Sequence, residues 1–127
     1  MDENKKRFLK ENELVVMMCI WEMKNKEVIC QEIKNIAKEK FGYDYQTPTL
    51  YSFLNALKKK GFINSYRRGV IFFYPLIDKN SYFKEQMNRI CIMWFNNNIQ
   101  EMILYFVKSM KITKDEKKQI LDKINKI

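Results

Sequence analysis

Residues 46–60 hold the side chains with the clearest chemical purpose. Thr49, Ser52, Asn55 and Lys59 recur at intervals of three and four; Tyr51 and Ala56 flank the row, and Gln46 and Thr47 precede it. On a helix that spacing gathers them on one face. Short hydroxyls reach base edges or phosphates in the major groove, and an asparagine amide can bond adenine at two atoms. Lys58, Lys59 and Lys60 close the segment, and Arg67 and Arg68 follow. Such cations neutralise backbone phosphates. The row suits a rod that reads double-stranded DNA, although a merely solvated helix face would carry similar residues.

Other chemistries have little to work with. The chain contains no histidine, which removes the commonest general base and most zinc sites. Its three cysteines, Cys19, Cys30 and Cys91, form no C-x-x-C pair. Cys19 falls in an apolar helical pattern and is expected in the core, and Cys91 is expected at a seam between copies. Cys30 stands near a helix start, where a thiolate is stabilised, so a thiol- or metal-responsive regulator stays open. Glu11, Glu13, Asp115 and Glu116 look like solvated helix starts, and three glycines build no phosphate loop. No catalytic residue, metal site or cofactor is expected, and the chain does not look like an enzyme.

The elements around the row point the same way. Thr47 is expected to cap the helix, with Pro48 at its first position. Leu50, Phe53, Leu54 and Leu57 form the apolar stripe, and Gly61 ends the helix. Upstream, Leu14, Val15, Met18, Ile20 and Trp21 predict a helix from Leu9 to near Lys24-Asn25, after a polar opening. Ile29, Ile33, Ile36 and Ala37 predict a second, stopped by Gly42. Downstream, 62–66 reads as a strand, Arg67-Arg68-Gly69 as a turn and 70–74 as a second strand ended by Pro75. Three helices and a hairpin outline a helix-turn-helix with a β wing.

Composition changes after Leu76. A helix over 79–95 places Phe83, Met87, Ile90, Cys91 and Trp94 on one side, with Phe95 beside them. The next apolar segment carries Ile99, Met102, Ile103, Tyr105, Phe106, Val107 and Met110. A last helix opens with the capping box Thr113-x-x-Glu116 and continues through Leu121 and Ile124. About 50 residues cannot bury faces this broad alone. Either the tail folds back on the first domain or a second copy covers it; these residues are expected to form a homodimer interface. The sequence therefore predicts a mainly α chain with a small β wing. A winged helix-turn-helix DNA-binding domain spans 1–76, and a three-helix dimerisation region spans 77–127.

Bulk properties agree. The 127 residues are 46% hydrophobic, enough for a core, and carry 24 Lys+Arg against 15 Asp+Glu. A net charge of +9 favours a polyanionic partner, though a lysine-rich surface alone proves none. Met1 to Lys10 lack the apolar stretch of a signal peptide, and no run of about 18 apolar residues predicts membrane insertion. A cytoplasmic location is expected.

These residues also carry a family likeness. Glu13-Leu14-Val15-Val16-Met17 with Trp21, then Thr49, Leu50, Leu54, Leu57, Lys60 and Gly61, then Tyr74-Pro75-Leu76, fall in order along the chain. In the tail, Phe95, Ile103-Leu104, Phe106-Val107 and Thr113-x-x-Glu116 complete the set. The chain resembles the penicillinase-repressor family over nearly its whole length. The resemblance implies a homodimer with N-terminal winged helices and clasping C-terminal helices, which represses a promoter through a two-fold operator. It also implies a membrane sensor-protease partner that leads to cleavage in the dimerisation region. The cleaved Asn-Phe bond of the family aligns with Tyr105–Phe106, where only the Phe is kept. Ala56 and Ser52 stand where the family usually has Arg and Thr, which implies a different operator. The other reading of the same outline is a protein-interaction module on a winged-helix scaffold.

Overall fold

The computed structural model describes residues 8–24 and 27–127. Among them lie six helices and three strands: α1 (Glu11–Glu22), β1 (Val28–Ile29), α2 (Cys30–Phe41), α3 (Thr47–Lys59), β2 (Ile63–Arg68), β3 (Val70–Pro75), α4 (Lys79–Phe95), α5 (Ile99–Ser109) and α6 (Lys114–Asn125). The fold is mainly α with a small antiparallel sheet, as a winged helix requires. The chain divides into two compact units, the first ending at Tyr82 and the second running from Phe83 to Ile127.

In the first unit, α1, α2 and α3 bury their apolar stripes against one another and the sheet. Val16, Met17, Cys19 and Ile20 from α1 meet Ile33 and Ala37 from α2, and Leu50, Leu54 and Leu57 from α3. Phe62, Ile63 and Phe73 close this core from the hairpin. Burying each large aliphatic side chain stabilises by roughly 1.5–3 kcal/mol before chain entropy is charged. The helix α1 begins later than its apolar pattern suggests. Lys10 caps it, and the Lys10 N–H donates to Glu13 Oε1 at 2.9 Å. It stops at Glu22, short of Lys24; Asn25 and the polar opening at 1–7 lie outside the described residues.

The first unit reaches past Leu76, the boundary that composition suggests. Trp21 Nε1 donates to the Ile77 carbonyl at 2.9 Å, and the Leu9 N–H donates to the Tyr82 hydroxyl at 3.1 Å. The Tyr82 ring stands edge-on to Phe62 at 5.5 Å. The start of α4 is thereby anchored to this core.

The sheet order is β1-β3-β2, all antiparallel. The two residues of β1 are too few to show a period-two pattern, so this strand is not legible from the residues alone. The hairpin is longer than its composition suggests. Arg67 and Arg68 belong to β2, paired with Ile71 and Val70, so Gly69 alone turns the chain, at φ 75°. Pro75 is the last residue of β3, opposite Ile63, rather than the residue beyond it.

In the second unit, Asn96 and Asn97 both take left-handed backbone angles between α4 and α5. Asparagine tolerates that region better than most residues. The Asn98 side chain then caps α5 by accepting from the Glu101 N–H at 3.1 Å. Thr113 and Glu116 form the expected capping box on α6, with both bonds at 3.1 Å. No residue of α6 is buried.

Candidate nucleic-acid interface

The orientation of α3 follows from its stripe. With Leu50, Leu54 and Leu57 in the core, the far side exposes Gln46, Thr47, Thr49, Ser52, Asn55, Lys58 and Lys59. Phe53 lies half-buried at the margin, edge-on to Tyr45 at 5.4 Å. The Tyr45 hydroxyl donates to Asn12 Oδ1 at 2.8 Å, which fixes the loop ahead of α3 to α1. At the other end α3 stops in a Schellman turn. Gly61, at φ 80°, donates to the Lys58 carbonyl at 3.1 Å, and Phe62 donates to the Leu57 carbonyl at 3.0 Å. The helix that carries the exposed row is thus tied at both ends.

Several residues sit differently from their sequence reading. Thr47 is the first helical residue and not the cap; Gln46 takes that place without a side-chain bond. The Thr47 hydroxyl instead accepts from Lys34 Nζ at 3.2 Å. Tyr51 turns inward. Its ring lies 6.2 Å from Phe73 and it lines a cleft with Cys30, half-buried, so it is not part of the exposed row. Lys60 is the clearest correction. Its ammonium lies 2.6 Å from Glu13 Oε1 and also donates to the Phe8 carbonyl at 3.3 Å. A cation held by a buried carboxylate is not available to a phosphate.

The wing divides its two arginines. Successive strand residues point to opposite faces, so Arg67 and Arg68 leave the sheet on different sides. Arg67 acts electrostatically on Tyr51 of α3, and Arg68 acts on Tyr66 across the outer face. Arg67 therefore shares the side of the sheet that carries α3. On the outer face, the Tyr66 hydroxyl donates to Glu27 Oε2.

Neither Cys19 nor Cys30 carries an activated thiol. Burial pushes Cys19 up to about 11, with the Glu22 charge adding to it. Burial also raises Cys30, against the opposing charge of Lys34. The expected stabilisation of a Cys30 thiolate at the helix start is therefore outweighed by desolvation. Among the described residues no cluster of His, Cys, Asp or Glu could hold a metal ion. No helix among them is long and apolar enough to cross a membrane.

The tail presents a broad apolar surface. Phe83, Met87, Ile90, Trp94, Ile99, Ile103, Phe106, Met110, Leu121 and Ile124 are all exposed, Trp94 at 78%. Phe95 and Val107 are half-buried. Cys91 and Met102, expected on the same surface, are already buried within the chain. Ile90, Trp94, Phe95, Tyr105 and Phe106 line a hollow of about 520 Å³. The Tyr105–Phe106 bond lies in the middle of α5.

A family model of the penicillinase repressor matches residues 9–126, which takes in both units. The chain belongs to the penicillinase repressor family. A penicillinase repressor from Bacillus licheniformis is 27% identical over 110 residues, which cover 85% of this chain and 82% of that protein. Membership of the penicillinase repressor family makes the chain a DNA-binding transcriptional repressor. Within it, sequence reasoning missed Glu13 and Lys34. Both look like ordinary solvated helix residues, and only the fold brings them to Lys60 and Thr47.

Proposed function

We propose that this repressor binds a two-fold operator as a homodimer, with one α3 in each of two successive major grooves about 34 Å apart. The observation that carries the reading is the exposed row Thr49, Ser52, Asn55 and Lys59 on a helix whose opposite stripe is locked in the core. Thr49, Ser52 and Asn55 choose the sequence through base edges. Gln46, Thr47, Lys58, Lys59, Arg67 and Arg68 hold the phosphates. The apolar faces of α4, α5 and α6 join the two copies, because exposed apolar surface this extensive is rare on a monomer. Bound over a promoter, the dimer excludes polymerase.

Release follows when the joining surface is broken, since one half-site alone binds far more weakly. Scission between Tyr105 and Phe106 by a membrane sensor-protease system is such an event. It would divide α5 and detach α6. Both side chains are exposed, but the bond is helical, so the segment must open locally before a protease can take it.

The test combines sedimentation at micromolar concentration with titration against random-sequence duplex DNA at low salt. A dimer whose affinity falls steeply with salt is expected. A monomer indifferent to duplex DNA would end the proposal.

A further inference from the structure

The first turns of α2 and α3 and the start of β3 enclose a cleft of about 240 Å³ beside the exposed row. Cys30 and Tyr51 form its inner wall, Ile71 its wing side, and Lys34 and Thr47 its rim. Lys34 is half-buried there, and its ammonium donates to the Thr47 hydroxyl at 3.2 Å. Its situation differs from that of the lysines held by carboxylates. Lys40 pairs with Glu22 at 2.6 Å and Lys60 with Glu13 at 2.6 Å. Among the described residues no carboxylate lies within ion-pair reach of Lys34. The Lys34 ammonium and the Thr47 hydroxyl meet at an exposed point, so the charge, held only by a neutral acceptor, stays open to an anion from solvent.

We infer that the Lys34–Thr47 rim is a phosphate-gripping point for the DNA backbone, in which the Lys34 ammonium takes the phosphate charge and the Thr47 hydroxyl holds that ammonium at the start of α3. This rests on the DNA-reading role of α3 proposed above and adds a contact from a different helix. The position suits the task. Thr47 is the first residue of α3 and Thr49 opens the base-reading row, so a phosphate seated on this rim sets how far α3 enters the groove. A contact to phosphate fixes register and orientation and carries no sequence information itself.

The experiment uses the full chain and a random-sequence duplex, because a phosphate contact does not depend on sequence. Three proteins are titrated across a range of salt: wild type, Lys34→Met, which keeps the packed stem without the charge, and Lys34→Arg, which keeps the charge. Lys118→Met, on α6, is the control. Each phosphate contact contributes about 0.9 to the slope of log K against log salt. Lys34→Met should lose about that much slope, and roughly eightfold in affinity at about 0.1 M salt. Lys34→Arg and the control should keep the wild-type slope, and melting curves should show all four proteins folded. If the wild type binds with a steep slope and Lys34→Met keeps it, the phosphate grip is refuted while the DNA-reading role stands. If the wild type itself ignores the duplex, the underlying reading falls with it.

Discussion

Glu13 and Lys60 tie the first helix to the end of the DNA-reading helix: Oε1 of one lies 2.6 Å from Nζ of the other. The side chain of Glu13 is 6% exposed and that of Lys60 is 23% exposed. The same carboxylate oxygen accepts the Lys10 N–H, so one buried group caps α1 and anchors the far end of α3. Removing one partner leaves the other charge without its counterion in a place water reaches poorly.

Lys60→Met should therefore destabilise the first unit by about 2–3 kcal/mol, because Glu13 keeps only a backbone donor. Adding Glu13→Leu should recover much of that loss, since a matched apolar pair avoids the desolvation cost. Denaturant unfolding of the single and double variants measures both. Equal destabilisation by the two would show that the ion pair itself is not what the site needs. In DNA titrations Lys60→Met should keep the wild-type salt slope, unlike a phosphate contact.

On the exposed row, Asn55 and Lys59 should separate cleanly. Asn55→Ala should cost roughly 1–3 kcal/mol on a sequence selected from a random pool and little on random DNA, because a base contact discriminates. Lys59→Ala should weaken both alike and lower the salt slope by about one. An Asn55 variant that weakened both DNAs equally would remove Asn55 from base reading.

The first unit was largely legible because its signals are local. The stripe from Leu50 to Leu57 and the stop at Gly61 each act within one helix, and each holds; Pro48 stands in the first turn as well, one place later than expected, because the helix opens at Thr47. Where the reading failed, a distant partner decided. Lys60 looks like one of three equivalent lysines until the fold sets Glu13 beside it. Tyr51 looks exposed at the margin of the row until Phe73 and Cys30 draw it inward. Arg67 and Arg68 read as turn residues beside Gly69, but they pair with Ile71 and Val70, and Gly69 suffices for a hairpin tip. Over 90–107 the apolar residues of α4 and α5 are too dense to mark one face, so periodicity does not tell which of them a single copy buries. Cys91 and Met102 turned out to be two of these.

Alkaline pH should destabilise the protein through Cys19. Burial lifts this thiol from the ordinary 9.0 to about 11. Between those values the unfolded chain has lost the proton that the folded chain retains. Stability is therefore full below pH 9.0 and falls as pH rises toward about 11. Tyr45, pushed by burial up to about 12, continues the trend at higher pH. Thermal melts of wild type and Cys19→Ala across this range test the point. The variant should be less stable at neutral pH, because it leaves a small void, but its stability should decline less steeply above pH 9.0. Parallel profiles would assign the alkaline loss to other groups.

The tail prediction concerns Trp94, which is 78% exposed in a single copy and borders the hollow shared with Phe106. If a second copy covers this surface, Trp94 loses its water on assembly and contributes as a buried aromatic, about 2–3 kcal/mol in each protomer. Trp94→Glu replaces that gain with a charge that must be desolvated. It should weaken self-association at least roughly a hundredfold, at about 1.4 kcal/mol per factor of ten. The first unit contains neither Trp94 nor its neighbours in the hollow, so its melting should not change. Operator affinity should fall with the dimer, because each half-site then binds alone, whereas binding per protomer to random DNA at low salt should persist. Sedimentation and DNA titration on the same samples give both readings. A Trp94→Glu protein that still sedimented as a dimer would move the joining surface away from this hollow.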